Sequence, residues 1–137
     1  MLFRSELTAS SALAAAGMGD VGKADRLLVE AHALVRPSDI YAAAFVVASE
    51  ARVRQIEGRN DDAAAKFRES LGLLSQTEFY PLQAIVHLDH AELLLSMGRA
   101  TDAAQELAAG ERLFGVQVAS RAARIEALRD AVGARKG

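Results

Sequence analysis

Three stretches of the chain, Met18–Leu34 (MGDVGKADRLLVEAHAL), Glu57–Leu73 (EGRNDDAAAKFRESLGL) and Met97–Leu113 (MGRATDAAQELAAGERL), align without a gap. They share one skeleton: a Gly, an Ala five residues on, a large apolar residue four further, a small residue three further and a Leu three further. In residues it reads Gly19, Ala24, Leu28, Ala31, Leu34; then Gly58, Ala63, Phe67, Ser70, Leu73; then Gly98, Ala103, Leu107, Gly110, Leu113. The residue frequencies of this chain allow about 0.01 such copies by chance, so the three copies mark an internal repeat. The last four positions lie on one face of a helix, and the small residue among them admits a neighbouring helix at short range. The Gly ends the preceding helix by taking the left-handed conformation that a side chain disfavours.

Working outward from these segments, the chain reads as seven helices over 3–17, 20–35, 39–57, 60–75, 79–97, 100–114 and 117–132, with no strand signal. Asn60 is the expected cap of the fourth helix, Ser38 marks the start of the third, and Pro81 fits only in a first turn. The last helix repeats no Gly skeleton. Its stripe of Val118, Ala122, Ile125, Leu128 and Val132 reads as a lid on the exposed end of a stack of helix pairs. The expected fold is therefore all-α: a single repeat domain over 1–137, with pairs at about 3–35, 39–75 and 79–114 and a C-terminal capping helix.

Composition agrees with helices and excludes several kinds of chemistry. Of 137 residues, 29 are Ala and 17 Leu, while aromatic residues make up 5%, a balance that suits helix packing over sheets. With 51% hydrophobic residues and 2 Pro the chain has the material for a core. The absence of Cys excludes a disulfide framework, a thiolate zinc site and a cysteine nucleophile. A net charge of −2 gives no global attraction for nucleic acid or an anionic membrane. No run approaches the roughly 20 apolar residues that span a bilayer. The opening MLFRSELTASSALAAAG carries Glu6 where a secretion signal would be basic. Arg outnumbers Lys 13 to 3, a bias of GC-rich bacterial genomes. A soluble chain of the bacterial cytoplasm is expected.

At the residues of this skeleton the chain resembles the tetratricopeptide repeats, whose second helix carries the same Gly, Ala, large apolar and small spacing. The resemblance implies a right-handed stack of three helix pairs and a non-enzymatic scaffold that binds a peptide or helix in a concave groove lined by the first helices. The glycines stand 39 and 40 residues apart, longer than the usual 34 or so. The longer period, with runs such as AELLLSMGRATDAAQEL, is similar to the helical sensor regions of bacterial ATP-dependent transcription activators of the maltose-activator class and of cyclase-linked relatives. That likeness implies instead a sensor or linker segment of such a regulator, whose partner would be the remainder of the larger protein, and both readings stand at this point. The first helices depart from the repeat pattern: its usual Trp, Leu, Gly and Tyr positions hold Thr8, Ser11, Ala12 and Ala15, then Val47, Glu50, Ala51 and Arg54, then His87, His90, Ala91 and Leu94. Only the small residue is kept.

The resemblance places the partner-binding groove on Ser49, Arg52 and Gln55, beside Phe45 and Ile56, and on Asp89, Glu92 and Ser96, flanked by Ile85, Leu88 and Leu95. Apolar anchors with charges of both signs suit a protein or peptide partner better than a small metabolite, whose pocket needs enclosure. The string IVHLDHAE is the most enzyme-like in the chain, since His87 and His90 could face one metal. At about 100° per residue, however, Asp89 and Glu92 point away from the histidines. The pair reads as interior histidines bonded to neighbours, and no metal, cofactor or catalytic residue is expected. The cluster Gly17, Gly19 and Gly22 lacks a preceding strand and the spacing of a phosphate loop, so these are helix breakers. Arg121, Arg124, Arg129, Arg135 and Lys136 make the chain end basic, but Glu126 and Asp130 share that helix, and a solvated face is favoured over nucleic-acid binding.

Overall fold

A computed structural model describes residues 3–114 and 119–136. Among the described residues there are seven helices and no strand. The chain divides into two compact units, Met1–Thr77 and Glu78–Gly137.

The first unit holds α1 (Arg4–Gly17), α2 (Val21–Leu34), α3 (Ile40–Ile56) and α4 (Asn60–Leu74). Adjacent helices pack as pairs, α1 on α2 and α3 on α4, and α1 also lies against α3. Ala residues carry much of this packing: Ala12, Ala15, Ala16 and Ala24 surround Leu28 and Val53, while Ala9 and Ala31 meet Val46. Side chains this small let helix backbones approach closely, and good helix propensity costs nothing in exchange. The second unit holds α5 (Tyr80–Ser96), α6 (Ala100–Leu113) and α7 (Ala119–Lys136), with α5 paired to α6 and α7 packed on both. Its core joins Leu88, Ala91, Leu94 and Leu95 to Ala103 and Leu107, and to Ile125, Leu128 and Val132 of α7.

The repeat skeleton corresponds to one structural device used three times. Gly19, Gly58 and Gly98 have φ of 85°, 80° and 78°, and they are the positive-φ residues of the described chain. Around each, two backbone bonds close the helix end: Gly19 N–H to Ala16 O (3.0 Å) and Asp20 N–H to Ala15 O (2.9 Å), with the same pattern at Gly58–Arg59 and Gly98–Arg99. This is the paired-bond ending that a left-handed residue makes possible. The Ala, large apolar and small positions that follow are buried in every copy: Ala24, Ala63, Ala103; Leu28, Phe67, Leu107; Ala31, Ser70, Gly110. The closing Leu differs, because each helix ends there: Leu34 and Leu113 are half-buried and Leu73 is exposed.

The small position sets how closely the pair packs. Ser70 donates its hydroxyl hydrogen bond to the Ala44 carbonyl at 2.8 Å. In the last pair a methyl group on Gly110 would come within 3.5 Å of the Ala84 carbonyl oxygen. Ala44 and Ala84 occupy the same place relative to Gly58 and Gly98, so the two pairs share one register.

Helix bounds fall within one residue of those read from the sequence for the first six helices. Two caps differ. Asn60 is the first helical residue of α4, and Arg59 holds the cap position. Asp39 caps α3 in place of Ser38, accepting from Ala42 N–H at 2.9 Å. Pro81 does lie in the first turn of α5. The last helix runs on to Lys136; residues 117 and 118 and the side chain of Ala122 lie outside the described residues. Among the described residues no helix is long and apolar enough to cross a membrane.

Candidate functional site

The α3 residues expected to bind a partner lie in the first unit. Phe45, Ser49, Arg52 and Ile56 follow a spacing of four, three and four, which puts them on one stripe of the helix. Phe45 is half-buried, and its ring stacks on Tyr41 at 6.5 Å between centroids and 20° between planes. Ser49 is buried and donates to the Phe45 carbonyl at 2.9 Å. Arg52 and Ile56 are exposed, and Gln55 is half-buried beside them. Among the described residues Arg52 has no ion pair.

The other arginine of α3 shows the contrast. Arg54 is held by Asp25 at 2.7 Å, by Glu57 at 2.9 Å and by Glu50 at 3.4 Å. Burial alone would lower its affinity for the proton, but the hydrogen bonds to Asp25 and Glu57 outweigh burial and raise it above the ordinary range. Glu50 also meets His32 at 2.8 Å and Lys66 at 3.7 Å. Glu50 and Arg54, which break the repeat pattern at inward positions, thus satisfy each other and neighbouring helices. Asp25, His32 and Lys66 were not foreseen as partners.

The α5 residues lie in the second unit, and there a helix of the same chain already engages them. Asp89, only 9% exposed, and Glu92 both accept hydrogen bonds from Arg124 of α7, at 2.5 and 2.8 Å. Burial works against the Arg124 charge, yet the bonds to Glu92 and Asp89 raise its pKa. Arg129 of α7 pairs with Glu111 of α6, and Arg135 donates to the Leu95 carbonyl at 2.8 Å. Ser96 is exposed and donates to the Leu93 carbonyl at 2.6 Å. Leu88 and Leu95 are buried, and Ile85 is half-buried.

The two histidines face the other way, as the helical angles require. His87 Nδ1 lies 2.5 Å from Glu106 Oε2 and His90 Nδ1 3.2 Å from Glu106 Oε1, so one carboxylate of α6 holds both rings. Burial pushes the Glu106 carboxyl up, but the hydrogen bond with His87, the close His90 ring and the charges of both bring it down to about 2. Among the described residues no group of three His, Asp or Glu side chains is arranged to hold a metal ion.

A pocket of about 390 Å³ opens where α1 begins, lined by Phe3, Arg4, Ser5, Leu34, Arg36 and Asp39. Glu6 beside it is buried, and that burial raises its pKa, against the Phe3 backbone hydrogen bond and with the Asp39 charge adding to the rise. Two arginines and two carboxylates therefore share the region, which gives it no single sign of charge. No protein family, no curated protein and no solved structure matches the chain.

Proposed function

We propose that the chain is a tetratricopeptide-like scaffold of the cytoplasm, its helix pairs stacked in a right-handed sense, that binds a peptide or helix of a protein partner without catalysing a reaction. The shared turn at Gly19, Gly58 and Gly98 supports the repeat reading, as does the common register of Ser70 with Ala44 and Gly110 with Ala84. The observation that carries the function is the α3 stripe. It combines a stacked aromatic pair, an exposed isoleucine and an arginine with no charge partner among the described residues. Aromatic and Arg side chains of this kind supply much of the energy at protein interfaces. Arg52 selects an acidic group on the partner, and Phe45 and Ile56 select apolar anchors about two helical turns before it and about one turn after it.

Selection from a random peptide library on immobilised protein tests this reading. Wild type enriches peptides that combine an Asp or Glu with apolar residues. Arg52→Glu weakens the enriched peptides by at least about tenfold, equivalent to about 1.4 kcal/mol, with an unchanged melting temperature. Equal binding by wild type and Arg52→Glu overturns the assignment.

A further inference from the structure

α7 covers one face of α5 and α6. We propose that this face is a receptor for a basic amphipathic helix from a protein partner, and that α7 is its resident occupant. The inference rests on the reading of the chain as a binding module, but it uses α5 and α6 and not Arg52, and its test needs no natural partner.

The chemistry of the ligand is written in α7. Ile125, Leu128 and Val132 recur at i, i+3 and i+7 and are buried against Leu88, Leu95, Ala103 and Leu107. Arg124, Arg129 and Arg135 flank this stripe and make each polar fastening of α7 to α5 and α6 that has been described: to Asp89 and Glu92, to Glu111, and to the Leu95 carbonyl. The receptor side is correspondingly acidic. Asp102 is paired with Arg99 at the cap of its helix and Glu106 with two histidines, while Asp89, Glu92 and Glu111 take the arginines of α7. Such a helix docks by its apolar stripe and is selected by the charges beside it.

The hold on α7 is of a kind that a competitor can replace. Only three large apolar side chains of the described part of α7 are buried, whereas α5 and α6 pack on each other more extensively than either packs on α7. Arg124 and Arg129 keep 32% and 57% of their side-chain surface in water, so salt and a rival helix both reach these pairs. Asp89 is the discriminating group. It is nearly buried, and a helix lacking an arginine opposite would forgo the charge-assisted bond that Arg124 supplies.

The probe is a fluorescently labelled peptide of residues 119–136 added to the full-length chain carrying Leu128→Asp, which expels its own α7. Anisotropy should show binding at least tenfold tighter than to wild type, whose face is occupied. Adding Asp89→Lys, or the exposed Glu92→Lys, should weaken it at least tenfold. A scrambled peptide of equal charge should not bind. Hydrogen exchange decides whether α5 and α6 remain protected in Leu128→Asp. If they do and the peptide does not bind, or binds regardless of Asp89 and Glu92 or as well when scrambled, the proposal fails. If they do not, excess peptide on wild type becomes the deciding measurement: faster exchange in residues 124–135 supports the proposal and unchanged exchange overturns it. Dimers of the wild type in sedimentation that exchange α7 between copies would assign the face to a second copy and overturn the partner reading.

Discussion

His87 fixes two successive turns of α6 at once: its Nδ1 lies 2.5 Å from Glu106, and its Cβ would stand 3.4 Å from a methyl group on Gly110. The helix pair is thus joined by a charge-assisted bond at one turn and by a close approach at the next.

That bond gives a pH dependence of stability. In the folded chain Glu106 keeps its charge down to about pH 2, whereas unfolded it would take up its proton near the ordinary 4.5. Between these values the unfolded state binds the extra proton, so stability falls as pH falls. The contribution is complete above about pH 5 and disappears on acidification through about 2. Glu106→Gln should flatten the plot of unfolding free energy against pH in this window. An unchanged slope in urea titrations would show that Glu106 is not the group responsible.

Gly110 tests the close approach. Ala at this position gains about 1 kcal/mol of helix propensity but must displace Leu88 Cδ2, which would stand at 3.2 Å from the new methyl group. Gly110→Ala should therefore change stability by less than about 1 kcal/mol, whereas Gly110→Leu should cost on the order of 1–3 kcal/mol or more by overpacking. Thermal melts distinguish the two.

Glycines of the two kinds should respond in opposite directions. Gly98→Ala places a side chain at φ 78° and should cost about 1–2 kcal/mol. Gly72 lies within α4, with nothing near a new methyl group, and Gly72→Ala should stabilise by about 0.5–1 kcal/mol. Chemical denaturation of both variants gives the comparison.

Removing the centre of the α3 charge cluster should be costly. Arg54→Ala leaves Asp25, Glu50 and Glu57 facing one another, with Glu57 and Glu50 side chains only 7% and 13% exposed. The expected loss is about 2–3 kcal/mol, below the about 3–5 kcal/mol for a fully buried pair. Arg52→Ala, one stripe away, should stay within about 0.5 kcal/mol. A loss for Arg54→Ala as small as that for Arg52→Ala would mean that the cluster contributes no net stability.

What could be read from the sequence follows from how local each feature is. A left-handed Gly and the apolar spacing after it are properties of some fifteen consecutive residues, so turns, helix bounds and the buried Ala24, Ala63 and Ala103 could be placed from the chain alone. The misplaced cap at Asn60 has a geometric reason. The residue after the left-handed Gly must itself leave helical geometry, so Asp20, Arg59 and Arg99 take the cap position whatever their side chains. Arg59 and Arg99 compensate by pairing with Asp62 and Asp102 three residues on. The ion pairs were illegible because their partners are distant along the chain: Arg54 with Asp25, Arg124 with Asp89. The positions of Asp89 and Glu92 on α5 were legible. That α7 brings Arg124 to them was not, since a basic helix with acids interspersed reads equally as a solvated face.

The turn repeated at Gly19, Gly58 and Gly98 also bears on the order in which the chain folds. Each turn joins two helices whose mutual contacts span fewer than about 35 residues of chain, and loop closure over such short distances is fast and costs little entropy. The pairs α1–α2, α3–α4 and α5–α6 can each form as a hairpin of helices before any of them finds another. A substitution that blocks the left-handed turn, such as Gly58→Val, then strikes at the earliest event and should slow folding. One that weakens the docking of α7, whose fastenings reach back 18 to 40 residues, should act mainly by hastening unfolding.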